Sequence, residues 1–359
     1  DTWDRVTGSF VYENGRLSLK DIRGQHRQTE ITFQGQGEAK SDGWWLDLKP
    51  FAVDRLSSTN ELLNALPEPM AESLRTTDFQ GSINLLGRVI LTHGLVDPGV
   101  QRPLERSNPL PAGVVPGLQA QWELDCDVHR ASLEIATEEL HDINGTVTIM
   151  GVMENDKVYN WGNLNLDTVM LWDSQATRVS GPFYLDNQRL ALGTVAPQLD
   201  PQAPQKSVTA NWLAGKLVLD GDIKLLENLP FGLVASLNNA RLEEFADELA
   251  PQLDSLSGQA RIGIQLTGTA DGTHTLSGLG SIRMENAQIY EIPMMLSMLK
   301  LLSVQQMDRT AFNTSNIQFE IKGDRILLRN IDFIGDAISL KGVGAVSYTH
   351  LRAHETLIY

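Results

Sequence analysis

Apolar and polar residues alternate with a period of two through most of the chain, in runs separated by glycine, asparagine and aspartate. Two stretches near opposite ends share one frame. Asn14–Ala39 reads NGRLSLKDIRGQHRQTEITFQGQGEA, and Gly323–Val346 reads GDRILLRNIDFIGDAISLKGVGAV. Each opens on a turn pair and places apolar residues two apart, at Leu17 and Leu19 or at Ile326 and Leu328. After a gap the alternation resumes, at Ile31 and Phe33 or at Ile338 and Leu340, and it closes on G-x-G. Weaker forms lie between, as INGTVTIMG from Ile143, DNQRLALG from Asp186, GKLVLDGD from Gly215 and ARIGIQLTGTA from Ala260. The pattern predicts a mainly β chain: a repetitive antiparallel meander forming an elongated curved sheet or groove, with a few short amphipathic helices. Strands of about 6–8 residues, roughly 20–26 Å long, are expected.

Asn14-Gly15, Asn144-Gly145, Asp220-Gly221 and Asp271-Gly272 are read as hairpin turns, because glycine takes positive φ at little cost. Three segments depart from the strand period. Leu56–Arg75 reads as one or two short helices broken at Pro67 and Pro69. Residues 240–249 carry helical spacing at Leu242, Phe245 and Leu249. Ile292–Val304 opens with Pro293 in a first helical turn and keeps Ser297, Lys300 and Ser303 on one narrow stripe. At 1.5 Å per residue it is about 20 Å long, too short to span a bilayer. Proline clusters at residues 97–117 and 197–205 predict boundaries. The expected units are a β-repeat unit with a helical insertion at 1–96, a Pro-rich linker at 97–117, a β-repeat unit at 118–196 and a β/helix region at 207–346. Residues 347–359 break the pattern and read as a non-native tail. The chain opens without methionine and already close to a strand pattern, so it reads as a fragment.

Composition narrows the function. The 359 residues are 42% hydrophobic and include 30 glycines, enough for a sizeable core and many turns. The net charge of −16 repels phosphate backbones, so nucleic acid is not an expected partner. The single cysteine, Cys126, excludes an intrachain disulfide. No run reaches the roughly 18–20 apolar residues of a membrane span.

Candidate chemistry is sparse. Cys126-x-x-His129 has a metal-ligand spacing but no second pair, and reads as a buried thiol beside a surface imidazole. Asp220-Gly-Asp222 lacks the remaining ligands of a calcium loop and reads as a turn. Glu243, Glu244, Asp247 and Glu248 read as a solvated helix face. Trp44-Trp45 puts one indole on each strand face, one in the core and one partly exposed, with a sugar platform as the alternative use. His350, His354 and Glu355 have metal-site spacing but fall in the tail. Phosphate-loop, dinucleotide, G-x-S-x-G and H-E-x-x-H signatures are missing from the sequence. No catalytic residue, metal or cofactor is expected.

Gly278–Leu302 (GLGSIRMENAQIYEIPMMLSMLKLL) and Phe312–Val346 (FNTSNIQFEIKGDRILLRNIDFIGDAISLKGVGAV) resemble the C-terminal region of the AsmA-like superfamily, the group of AsmA, TamB and YhdP. The shared features are a G-x-G strand, a turn, an apolar helix opened by Ile-Pro, a strand pair around a Gly-Asp turn and a final L-x-G-x-G strand. About 70 residues are covered. Family members often place a glycine where this chain has Asn286-Ala287, a substitution that asparagine tolerates in left-handed backbone.

The resemblance implies a non-enzymatic periplasmic protein of a diderm envelope, anchored in the inner membrane by an N-terminal helix outside this sequence. Its implied role is carrying phospholipid between inner and outer membranes. The alternative is a scaffold or assembly factor for outer-membrane proteins or envelope integrity. A carbohydrate-binding or hydrolytic β-protein is the remaining class. The expected partners are thus phospholipid or another acyl-chain ligand, the inner membrane and outer-membrane proteins. Lipid carriage fits the pattern physically. Exposing a 16-carbon chain to water costs roughly 12 kcal/mol, so a carrier needs a continuous apolar surface. The candidate lining is Ile262, Ile264, Leu266, Ile282, Met284, Ile317, Phe319, Ile321, Ile326, Leu328, Ile338 and Leu340. A closed sandwich core satisfies the same alternation. The Ile292–Val304 helix either covers the apolar face or fills or gates a trough.

Overall fold

The computed structural model describes residues 4–57, 80–94, 118–135, 138–154, 157–171, 173–197, 204–251, 256–288, 312–335 and 339–347. The chain is mainly β and forms a repetitive antiparallel meander, divided into two units. The first unit comprises residues 1–170 and 179–206, and the second comprises residues 171–178 and 207–359.

The strands of the first unit are β1 (Asp4–Glu13), β2 (Arg16–His26), β3 (Thr29–Lys40), β4 (Gly43–Ser57), β5 (Gln80–Gly94), β6 (Leu118–Ile135), β7 (Glu138–Glu154), β8 (Lys157–Leu171), β9 (Ser174–Asp186) and β10 (Arg189–Leu192), except that Leu171 and the start of β9 through Arg178 belong to the second unit. Each strand from β1 to β6 pairs antiparallel with the next, and β9 pairs with β10. The second unit adds β11 (Val208–Trp212), β12 (Gly215–Lys224), β13 (Phe231–Arg241), β14 (Ser257–Gly268), β15 (Ser277–Gln288), β16 (Phe312–Lys322), β17 (Arg325–Ile334) and β18 (Ser339–Ser347). These too pair in sequence order.

Most strands are longer than the alternation predicts. β6 has 18 residues and β7 has 17, against the expected 6–8. The difference lies in the gaps, which are bulges rather than ends. Apolar steps of three instead of two occur at Leu19–Ile22, Val53–Leu56, Val128–Ala131 and Leu237–Ala240, each beside a register shift. Asp21, Arg55, Arg130 and Asn239 fill these steps with φ of 49°, 54°, 46° and 58°. An extra left-handed residue turns the next side chain back to the original face, so a broken alternation still builds one apolar side.

A bulge removes an amide from the ladder, and that amide needs another acceptor. Asn144 Oδ1 accepts the Arg130 N–H at 2.9 Å, and Asn84 Oδ1 accepts the Arg55 N–H at 2.9 Å. Asn144 also donates through Nδ2 to the Asp142 carbonyl at 2.8 Å and to Thr168 Oγ1 at 3.0 Å. The backbone opposite must come close. A Cβ on Gly81 (φ 130°) would lie 2.7 Å from Ala131 Cα.

This overturns two turn assignments. Asn144-Gly145 lies inside β7 and Asp220-Gly221 inside β12. Gly145 is required by close approach, since a Cβ there would sit 2.6 Å from Leu166 Cα. Asp220 is a strand residue whose Oδ2 accepts a hydrogen bond from Ser207 Oγ at 3.0 Å. Asn14-Gly15 does turn, with φ of 52° and 81°, and Asp271 and Gly272 lie in the connection from β14 to β15.

The expected boundary at residues 97–117 falls inside the first unit. β5 and β6, on either side, pair directly from Gln80↔Ser132 to His93↔Leu118. Residues 1–96 and 118–196 are therefore not separate β-units. Leu56 and Ser57, expected to open a helix, end β4. The rest of that helix, the Ile292–Val304 helix and the tail beyond Ser347 lie outside the described residues. The helix expected near residues 240–249 is present as α1 (Leu242–Leu249).

Asn144→Ala is expected to lower stability by about 1–3 kcal/mol, because the Arg130 amide loses its acceptor in the sheet. Urea denaturation and faster hydrogen exchange at Arg130 check this. A loss below about 0.5 kcal/mol with unchanged exchange would contradict the stitching role.

Candidate functional site

Register in the second unit places the candidate lining on one face. Four cross-strand rows run over β13–β18. The first is Leu233–Leu266–Gly278–Ile321–Ile326–Val346. The second is Ala235–Ile264–Gly280–Phe319–Leu328–Gly344, and the third is Leu237–Ile262–Ile282–Ile317–Ile331–Gly342. The fourth is Ala240–Ala260–Met284–Ser315–Phe333–Leu340. Residues directly opposite across antiparallel strands share a face, so all the described candidates belong to one apolar surface. Ile338 lies outside the described residues. The sequence reading missed Ile331 and Phe333, which reach this face only because the β17 register shifts between Leu328 and Ile331.

Burial along this face is uneven. Met284 and Ile321 are buried, while Ile262, Ile264, Leu266, Ile282, Ile317, Phe319, Ile326, Leu328 and Leu340 are half-buried. The third and fourth rows belong to a packed cluster with Leu242 and Ala246 of α1, with Phe245 and Leu249 packed against it. In the first and second rows, Leu266, Ile264, Phe319 and Ile326 lie outside that cluster.

The glycines in these rows shape the surface. A Cβ on Gly280 would lie 2.1 Å from Phe319 Cζ, so the ring of Phe319 lies over its cross-strand glycine. On Gly278 a Cβ would lie 3.2 Å from Leu266 Cδ1. Side chains in sheets ordinarily stand away from the backbone. Here large ones lie along it, which gives a low, smooth apolar surface.

The first unit repeats the device. Its rows include Tyr12–Leu17–Gly37–Leu46–Leu91–Ala120–Met153 and Phe10–Leu19–Gly35–Leu48–Val89–Trp122–Gly151. The Trp122 indole lies over Gly151, where a Cβ would be 2.2 Å from Cε2. These rows run from a buried centre at Trp122 and Leu48 to an open edge, with Phe10 70% and Tyr12 60% exposed.

α1 is fastened through its acidic residues. Ser174 Oγ donates to Glu248 and accepts the Trp212 Nε1–H at 2.6 Å. Glu243 Oε1 accepts the Gly258 N–H at 3.1 Å, and Glu244 pairs with Arg241. The solvated-face reading holds for exposed Glu243 and Asp247 and for Glu244 beside exposed Arg241, while Glu248 departs from it by holding buried Ser174. Ser174 is fully buried, and sequence spacing gave no sign of its role.

The opposite face of the second unit is mixed, with exposed Val234 and Leu279 in the same row as Glu320 and with paired carboxylates. Lys322 and Arg329 hold Glu320 below the usual carboxylate range, with Lys322 Nζ at 2.7 Å. Asn330, donating at 2.8 Å, and Lys341 do the same for Asp332. Cys126 sits in the apolar row Leu85–Cys126–Val147, and burial pushes its thiol up to about 12, away from metal-binding thiolate. His129, three residues on, is exposed. Trp44 shares the face of Leu46 but is 37% exposed and stacked on His93, with centroids 6.1 Å apart. Trp45 is half-buried on the other face, so neither indole is a core residue. Among the described residues no cluster of three or more His, Cys, Asp or Glu could hold a metal, and no helix is long and apolar enough to cross a membrane.

Comparisons with known protein families, curated proteins and solved structures find no match to this chain.

Gly280→Ala is expected to cost about 1–3 kcal/mol by lifting Phe319 off the sheet. In combination with Phe319→Ala the cost should shrink by at least 1 kcal/mol in a double-mutant cycle. Additive losses would show that the ring does not depend on the glycine.

Proposed function

We propose that this chain is a non-enzymatic cell-envelope protein that carries phospholipid acyl chains on its apolar β-face, between the inner and outer membranes. The carrying observation is the row structure of the second unit, in which consecutive strands place half-buried aliphatic side chains on one face. A hydrocarbon tail gains about 0.8 kcal/mol per buried CH₂ on such a surface, and no directed contact is required. From Ile262 to Leu266 the face extends about 13 Å along each strand, close to the ~15 Å of one leaflet's hydrocarbon.

Half-buried Phe319 and Leu266, which lie outside the packed α1 cluster, support a ligand surface. Tails lie along strands in this reading, and successive strands extend the path. The resemblance of residues 278–346 to the AsmA-like region supports a periplasmic location, with an inner-membrane anchor supplied by sequence preceding this stretch. The net charge of −16 keeps anionic headgroups off the polar exterior.

A second reading, a scaffold for outer-membrane proteins, draws on β1. Val6, Phe10 and Tyr12 are 63%, 70% and 60% exposed on a strand, a surface suited to strand addition by a protein partner.

Native mass spectrometry of protein purified from a diderm host separates the readings. Co-purified phospholipid is expected, and Ile264→Asp with Phe319→Asp should reduce it at least tenfold while the fold persists. Lipid-free protein carrying a stably bound barrel protein would favour the scaffold. Equal lipid in the double variant would remove this face from the account.

A further inference from the structure

α1 crosses one end of the apolar face and is held there from both of its ends. Near its start, Glu243 takes the Gly258 amide of β14, and near its finish, Glu248 takes the buried Ser174 hydroxyl. Ser174 in turn holds the Trp212 indole at 2.6 Å. Leu242 and Ala246 enter the packed cluster with Ala240 and Ala260 of the fourth row, while Phe245 and Leu249 pack against that cluster and remain half-buried. Alanines at the fourth row are what let a helix approach the sheet there. Two and three rows away, Ile264 and Leu266 lie outside the cluster. The face therefore has a packed end and an end without that packing, along the direction in which strands run.

Resting on the lipid-carrier reading, we propose that α1 is the stop that sets the length of acyl chain the face accepts, with Phe245 and Leu249 as the specificity-determining side chains. A tail laid along β13 and β14 gains contact with each carbon until its terminal methyl meets the α1 cluster. Further carbons bend back into water or dislodge the helix, and they gain nothing. The fastening makes α1 a fixed wall, because moving it leaves the buried Ser174 hydroxyl without its Glu248 acceptor and the Gly258 amide without Glu243. The stretch outside the cluster, from Ile264 to Leu266, covers about 7 Å, roughly half of a leaflet's ~15 Å of hydrocarbon. The limit is therefore placed well below the common long-chain lengths.

The test titrates delipidated full chain with lysophosphatidylethanolamines carrying saturated tails of different lengths, from short to long. Each two carbons should tighten binding by roughly tenfold, up to a break after which affinity is flat. Phe245→Ala with Leu249→Ala should move the break to a longer tail. Phe245→Trp, which adds bulk at the same place and retains the helix, should move it to a shorter one. A break at the same length in wild type and in Phe245→Trp, or affinity rising steadily with no break, would overturn the stop while leaving lipid carriage intact. No binding of any tail to the wild type would overturn both.

Discussion

The structure depends on keeping one face apolar across strands of up to 18 residues. A pleated strand offers each face every second residue, and long twisted strands cannot hold a strict count without distortion. The chain resolves this with left-handed residues at bulges, Asp21, Arg55, Arg130 and Asn239 among them, which reset the phase and return the next apolar side chain to its side. Asparagines from neighbouring strands take the amides of Arg55 and Arg130. Without this correction the rows would alternate in polarity halfway along each strand, and no continuous surface would form.

The second consequence is the texture of that surface. Glycine in a row leaves a gap that a neighbour from the next strand covers by lying down, as Phe319 does over Gly280 and Trp122 over Gly151. A stacked sheet would use upright, interlocking side chains. The arrangement serves a packed interior at Trp122 and a half-buried face at Phe319. Carboxylates on the far side are matched by Lys322, Arg329 and Lys341. Chemistry is thus confined to solubility and fastening, and the face itself is aliphatic and aromatic apart from the buried Ser315 hydroxyl.

Much of the fold was legible because period two is a strong signal wherever one face is apolar. Leu17, Leu19, Ile326 and Leu328 fall in strands for the reason their spacing implies. The bulges were not legible. A step of three apolar positions looks like a gap, so strand lengths were underestimated, and Ile331 and Phe333 were passed over. Gly145 looked like a turn residue because glycine demanded by close approach has the same local neighbours as glycine demanded by a turn, and Asp220-Gly221 misled through its composition alone. The helix α1 was visible in the spacing of Leu242, Phe245 and Leu249. Its fastening was not, because Ser174 and Glu248 are 74 residues apart and Ser174 and Trp212 are 38 apart. The Pro-rich stretch at 97–117 misled because the strands on either side of it, β5 and β6, pair directly, a pairing that proline content does not report.

Site-specific photocrosslinking tests the central claim most directly. A benzophenone amino acid placed singly at positions 261 to 266 and irradiated in cells should capture phospholipid from Ile262, Ile264 and Leu266, and none from Arg261, Gly263 and Gln265. That odd-even pattern is the signature of an apolar face open to hydrocarbon. Lipid adducts at both sets alike, or only intramolecular crosslinks from the apolar set, would mean that the rows are the sealed interior of the protein rather than a path for lipid.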